Sequence, residues 1–253
     1  MRTIDWNALT LTNHRGHHPM VPALSCFFYL TGGLHEMASE LADGIERYVA
    51  LVGADVLKSS PIRSGEWKPM TKKKITLHLK HLRNFPEDHV GFSLRYDSGE
   101  GGEPGGFGVH IDGYADGHMD DVFPNRMNLL RVDFPPDWPD DHDDQTLVDL
   151  FAVICQLPHV QSARAGLIFK TTPGSQSDAA KAIYERLQRY LGFSHCDFSH
   201  QYWMLGHTFT AHWLNYLDAN LAKVVGGTAA IVEALPKCEV RALKNGVMIR
   251  AAK

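Results

Sequence analysis

The chain has 253 residues, 44% of them apolar, with 25 Lys or Arg against 29 Asp or Glu and a formal net charge of −4. That length supports a substantial buried core, and so ordinary an apolar content excludes global disorder. The near-neutral balance argues against a nucleic-acid binder, which would present a strongly basic domain.

Residues Met1 to Arg15 carry no signal-peptide pattern, and the first dense apolar run, Leu24 to Leu30, is far shorter than the roughly 20 residues of a membrane-spanning helix. The four cysteines, Cys26, Cys155, Cys196 and Cys238, are widely separated and form no C-x-x-C pair. Reduced, mostly buried thiols in a cytoplasmic protein without a membrane segment are expected.

In chain order, Leu24 to Leu30 reads as a buried strand between Pro22 and Gly32-Gly33. Apolar residues Leu34, Met37, Leu41, Ile45, Tyr48, Val49 and Val52 then recur at helical spacing. Thr71 can cap a basic helix over Lys72 to Arg83, although Ile75, Leu77 and Leu79 also alternate as a strand would. Val90 to Tyr96 and Phe107 to Ile111 fit a hairpin around the glycine-rich Ser98 to Gly106 insert. Leu129 to Phe134 reads as a strand stopped by Pro135-Pro136, Gln145 to Leu157 as a helix, Val160 to Phe169 as a strand and Asp178 to Leu191 as a helix. His212 to Val225 reads as a helix closed by Gly226-Gly227, and Thr228 as the cap of a short helix to Leu235. A last hairpin joins Cys238 to Leu243 and Val247 to Arg250 through Asn245-Gly246. The whole predicts a single α+β domain over 1–253, a largely antiparallel sheet flanked by helices.

No catalytic motif stands out. There is no G-x-S-x-G elbow and no P-loop, and the glycine-rich insert carries Glu100 and Glu103 where a phosphate cradle would need cations. His195-Cys196 reads as structural, because adjacent side chains rarely face each other. Fifteen histidines invite a metal reading. His14, His17 and His18 lack an acidic neighbour, and Asp140 to Asp144 lacks the glycine and closing glutamate of a calcium loop. A metal-dependent hydrolase using His110, Asp112, His118 and Asp120 or Asp121 is the competing enzymatic reading. Solvated loop residues explain these clusters more simply, so no cofactor, metal or catalytic residue is assigned.

Charge distribution is more informative than charge content. Residues 97–149 hold 14 acidic residues and only Arg126 and Arg131, a net −12 that leaves +8 for the remainder. Two dense patches stand out: Asp112, Asp116, Asp120 and Asp121 with Tyr114, and Asp137, Asp140, Asp141, Asp143 and Asp144 with Trp138. These eleven residues form the candidate partner-binding set, with Trp138 or Tyr114 as an aromatic anchor. Asp143 and Asp144 are also explained by the positive end of the following helix. Gln201 to Met204, Trp213 and Tyr216 read as core. An acidic surface of this kind steers a basic protein and repels nucleic acid.

The run His212-Trp213-Leu214-Asn215-Tyr216-Leu217, with Leu221 and Gly226-Gly227, resembles the W-L-x-x-L…L-x-x-x-G-G stretch of the type VI secretion immunity family named for protection against VRR-NUC nuclease toxins. Val240 to Ile249 is similar to that family's closing hairpin with its G-V-x-I-R tail. Leu24 to Val52 resembles its first strand and helix, and Ala165 to Phe169 its central strand. In order these segments span about 24–250, leaving 1–23 as an N-terminal extension. A neighbouring immunity family linked to restriction-endonuclease-type toxins shares the likeness. The resemblance implies a non-enzymatic protein that binds a cognate effector, a DNase of restriction-endonuclease fold, and occludes its active site or DNA groove. It leaves open whether a monomer or a homodimer does so.

Overall fold

The computed structural model describes residues 4–13, 16–61, 66–115, 126–171, 176–190, 192–195 and 212–251. These form α1 (Trp6–Leu9), β1 (Met20–Leu30), α2 (Leu34–Val52), β2 (Ser59–Pro61), β3 (Trp67–Pro69), α3 (Lys72–Arg83), β4 (Gly91–Asp97), β5 (Gly108–Tyr114), β6 (Asn128–Phe134), α4 (Trp138–Asp141) and α5 (Asp144–Cys155). The chain continues with β7 (Val160–Thr171), α6 (Gln176–Arg189), β8 (Phe193–His195), β9 (Leu214–Asp218), α7 (Ala219–Val224), α8 (Gly227–Ala234), β10 (Glu239–Leu243) and β11 (Gly246–Arg250). Among the described residues the strands join one sheet in the order β10-β11-β9-β7-β1-β6-β5-β4-β2-β3, with β8 alongside β7. Among the described strands, only β7 and β8 pair in parallel. This is the α+β arrangement that the sequence predicts.

The continuous apolar character of β1 follows from its position between β7 and β6, buried on both faces. Leu24, Cys26, Phe28 and Leu30 point to one face, into the core built with α2, α3 and α5. The alternate residues Ala23, Phe27 and Tyr29 point to the other, against Met127, Leu129 and Ile168. Pro22 falls inside the strand rather than before it. Pairing with β6 begins only at Leu24, so Pro22 sits where β1 has a neighbour on one side, as proline in a sheet requires. Leu34, Met37, Leu41, Ile45 and Tyr48 form the buried stripe of α2. The strand alternative for Lys72 to Arg83 is resolved as helix, with Thr71 accepting from the Lys74 amide at 3.3 Å.

The second sheet face carries a buried charge array. Lys170 of β7 is fully enclosed, its Nζ 3.0 Å from Asp97 of β4 and 3.1 Å from Asp133 of β6. Asp133 also accepts from Ser25 of β1 at 2.6 Å and lies 3.1 Å from the Arg131 Nε. The Asp97 carboxylate caps the glycine-rich insert, taking the amides of Gly99 and Gly105. Gly108 is required beside this array: a Cβ there would sit 2.7 Å from the Lys170 Nζ and 2.9 Å from Asp133.

Three expectations change at the C-terminus. His212 to Val225 is not one helix: Leu214–Asp218 enters the sheet between β7 and β11, and only Ala219–Val224 is helical. Leu214 and Tyr216 alternate inward as strand residues, and Asp218 starts α7 by accepting from the Leu221 amide at 2.7 Å. Sheet pairing overrides the helical spacing of Trp213, Tyr216, Leu217 and Leu221. Helix α8 begins from Gly226, in the left-handed region at φ 96°, with no side-chain cap from Thr228. Leu243 pairs with Gly246, so the hairpin turns through Lys244-Asn245, one residue earlier than expected. The sequence reading also missed α1, β2, β3, α4 and β8, all of four residues or fewer. No helix among the described residues is long and apolar enough to cross a membrane.

The buried charges give two expected outcomes. Lys170→Met leaves Asp97 and Asp133 without their ammonium, so unfolding free energy from urea titration should fall by about 3–5 kcal/mol. The second concerns acid. Burial lowers the pKa of His110, with Arg131 and Arg95 adding to the effect, and lowers that of His212 to about 4, assisted by Arg164. A histidine that titrates lower folded than unfolded confers stability in full above about pH 6.5, which is lost as pH falls toward 4. The urea midpoint should therefore drop across that window, and His212→Gln should make the drop shallower. For Asp133, burial pushes upward, but Arg131, Lys170 and Ser25 outweigh it and hold the carboxyl below its usual 3.8. Its contribution is lost only below that pH, as a separate acid limb.

Candidate functional site

The acidic residues of 97–149 occupy different environments. Asp97 and Asp133 are internal and bound to Lys170. Glu100 pairs with Lys58 at 3.3 Å, and Glu103 accepts from the His17 ring. Asp149 accepts from the Gln145 side-chain Nε2 at 2.8 Å. Asp144 meets Arg250 of β11 at 3.0 Å, with only 15% of its side chain exposed. Asp116, Asp120 and Asp121 lie outside the described residues. Asp137, Asp140, Asp141 and Asp143 are exposed and form no ion pair with a described residue.

These four surround α4, and the core sets their direction. Trp138 is 6% exposed, with its ring centroid 5.1 Å from Phe134 and 5.7 Å from Phe107, and His142 stacked on it at 3.6 Å. Trp138 is therefore not the aromatic anchor proposed from sequence. It instead roots α4 in the core, so that Asp137, Asp140 and Asp141 face solvent. Asp143 accepts from the Gln145 amide at 3.0 Å as the N-cap of α5, and Asp144 occupies the first turn. Both thus have the helix-end role the sequence suggested.

The other candidate anchor, Tyr114, is already engaged. The Arg126 guanidinium lies 4.0 Å from its ring centroid, and its hydroxyl donates to Asp112 at 3.4 Å. Tyr114 and Asp112 lie beside the start of β6, whereas Asp137 follows its end. The seven residues of β6 separate these groups by roughly 20 Å. The two patches, continuous in sequence charge, do not converge in the described structure.

Beside α4 the fold encloses an open groove of about 660 Å³. Leu24 and Leu167, cross-strand partners on β1 and β7, contribute to it, together with Pro136 and Pro139. Trp6 and Trp213 add indole surface, and Asp140, Asp144 and His212 supply the ionisable groups. The groove forms where the outer edge of β7 changes partner, from β9 along Ser162–Ala165 to β8 along Leu167–Phe169. Gly166 lies at that split, where a Cβ would come within 2.9 Å of the His212 Nδ1. Arg250 secures one side by holding Asp144 and Gln145 and by lying 5.8 Å from the Trp213 ring centroid. Sequence reasoning noticed Arg250 only as part of a tail motif and read Trp213 as core; their positions depend on pairings distant in the chain.

The metal-hydrolase alternative gains no assembled centre. His110 and Asp112 share a face of β5, but His118, Asp120 and Asp121 lie outside the described residues. Among the described residues, no three His, Cys, Asp or Glu side chains come together as a candidate metal site. Of the cysteines, Cys26 and Cys155 are buried and free, Cys238 is free and partly exposed, and Cys196 lies outside the described residues. Gln201 to Met204 lies outside them too, whereas Tyr216 is core, as expected.

Comparison with curated proteins gives no match. Among solved structures, the fold is similar to the Pseudomonas aeruginosa T6SS protein PA0821, with a TM-score of 0.77 at 18% identity over 96% of this chain and 71% of that one. At that identity the likeness establishes the fold. A family model for TsiV, described as type VI immunity for VRR-NUC, matches residues 40–253. The match begins within α2 and includes the acidic residues around α4, most of the described groove lining and the Arg250 tail. The chain belongs to the TsiV family of type VI immunity proteins for VRR-NUC.

Proposed function

We propose that the protein neutralises its cognate VRR-NUC effector by stoichiometric binding, without turnover, in the cytoplasm. The exposed face of Asp137, Asp140, Asp141 and Asp143 would lie against the effector's basic DNA-contacting surface. The observation that carries this reading is the state of those four carboxylates: exposed, adjacent and without an ion pair to a described residue. A nuclease must present Lys and Arg to phosphate, so such a face can compete with DNA for that surface. Membership of an immunity family supports binding over catalysis. Free thiols at Cys26, Cys155 and Cys238 fit a reducing compartment.

Charges that remain solvated contribute chiefly to encounter rate, because an attractive field accelerates association and is screened by salt. Replacing Asp137, Asp140, Asp141 and Asp143 by Asn preserves size, and Asp143→Asn retains an N-cap acceptor for α5. Stopped-flow association with the cognate VRR-NUC effector should slow at least about ten-fold at low ionic strength and lose most of its salt dependence. Co-expression should correspondingly give weaker protection from the effector. An unchanged association rate at low salt would overturn the electrostatic mechanism.

A further inference from the structure

The groove beside α4 combines two properties that one type of ligand would use together. Leu24, Leu167, Pro136 and Pro139 offer apolar surface, and Trp6 and Trp213 offer aromatic surface. Of the ionisable groups lining it, Asp144 is neutralised by Arg250 at 3.0 Å. His212, held near pKa 4 by burial and by Arg164, is uncharged at neutral pH. Asp140 is therefore the negative charge in this lining that no described residue compensates.

A purely aliphatic side chain would leave the Asp140 carboxylate without a counter-charge in a partly apolar setting. A compact cation would leave the indoles unused. A long basic side chain satisfies both, laying its methylene stem on the apolar surface and directing its charged head to the carboxylate. We infer that the groove receives an arginine side chain from the partner. Arginine is favoured over lysine because its planar, weakly hydrated guanidinium stacks on indole and pairs with carboxylate in a fixed geometry. The inference rests on the immunity reading above and names what the effector inserts: one of the basic side chains it would otherwise offer to phosphate.

The direct test uses peptides, not the effector. In spectra of the ¹⁵N-labelled protein, a capped Gly-Arg-Gly-Arg-Gly peptide should shift the indole N–H signals of Trp6 and Trp213 and leave that of buried Trp138 unmoved. The glutamate counterpart should shift neither, and Asp140→Asn should weaken the arginine-peptide titration at least five-fold. Absence of shifts at Trp6 and Trp213, or equal shifts with the glutamate peptide, would overturn the inference. A second arm uses the effector itself with Leu167→Trp, which fills the groove without altering charge, and with the fold checked by its melting curve. At least ten-fold weaker binding is expected. Wild-type affinity in a folded Leu167→Trp would overturn the groove inference while leaving the immunity reading intact, whereas failure of the wild-type protein to bind the effector would remove both.

Discussion

The position of the Lys170 ammonium between the carboxylates of Asp97 and Asp133 is the constraint on which the rest of the sheet depends. The three residues come from β7, β4 and β6, none of which pairs with another. To meet Asp133 on β6, Lys170 must reach across β1, since strands two apart in a sheet are separated by about 10 Å. A buried ion pair recovers little net stability after desolvation, but it penalises any arrangement that leaves one member unmatched. Here that penalty bears on register. Asp133 stands opposite Ser25 on one side and Gly108 on the other. A one-residue slip of β6 would turn its carboxylate toward the apolar core under α2 and α5. Arg131, on the same face of β6, would turn with it.

The same contact governs what lies beyond the sheet. Lys170 also donates to the carbonyls of Gly105 and Phe107, and Asp97 holds the Gly99 and Gly105 amides, so the glycine-rich insert is tied to the array at both ends. At the end of β6, Pro135 and Pro136 leave directly for α4, whose Trp138 packs on Phe134 and on Phe107 just past the insert. The acidic face and one side of the groove therefore take their positions from the register that Lys170 enforces. A buried charge cluster thus fixes where the solvated carboxylates around α4 stand.

Much of this was legible in the sequence because local patterns and tertiary demands coincided. Helix α2 emerges from the spacing of Leu34, Met37, Leu41 and Ile45, and the β4–β5 hairpin from alternation around a glycine-rich turn. Legibility failed where long-range contacts chose between two local patterns. Trp213 to Leu217 has helical spacing and strand alternation at once, and pairing of β9 with β7 and β11 selects the strand. The charge count had a similar limit. Summed along the chain, 97–149 is one acidic segment, yet Asp97 and Asp133 are neutralised internally and Asp144 is consumed by an arginine 106 residues away. Composition reports how many charges a segment carries; only the fold determines which of them remain available.

If the acidic face and the groove both meet the effector, as proposed, a division of labour between them follows from how each type of interaction depends on distance and solvent. Solvated carboxylates attract a basic surface from several ångströms away, but high dielectric and salt limit what they contribute after contact. A groove acts only after contact, by removing apolar and aromatic surface from water, and so prolongs the lifetime of the complex. Asp140 belongs to both, on the exposed face and in the groove lining. An inhibitor of a delivered nuclease must capture it before it reaches DNA and hold it afterwards. Encounter guided by charge and retention by a buried basic side chain would meet those two demands at adjoining surfaces. The split in the β7 edge at Gly166 gives the second surface the depth that a continuous sheet edge would not provide.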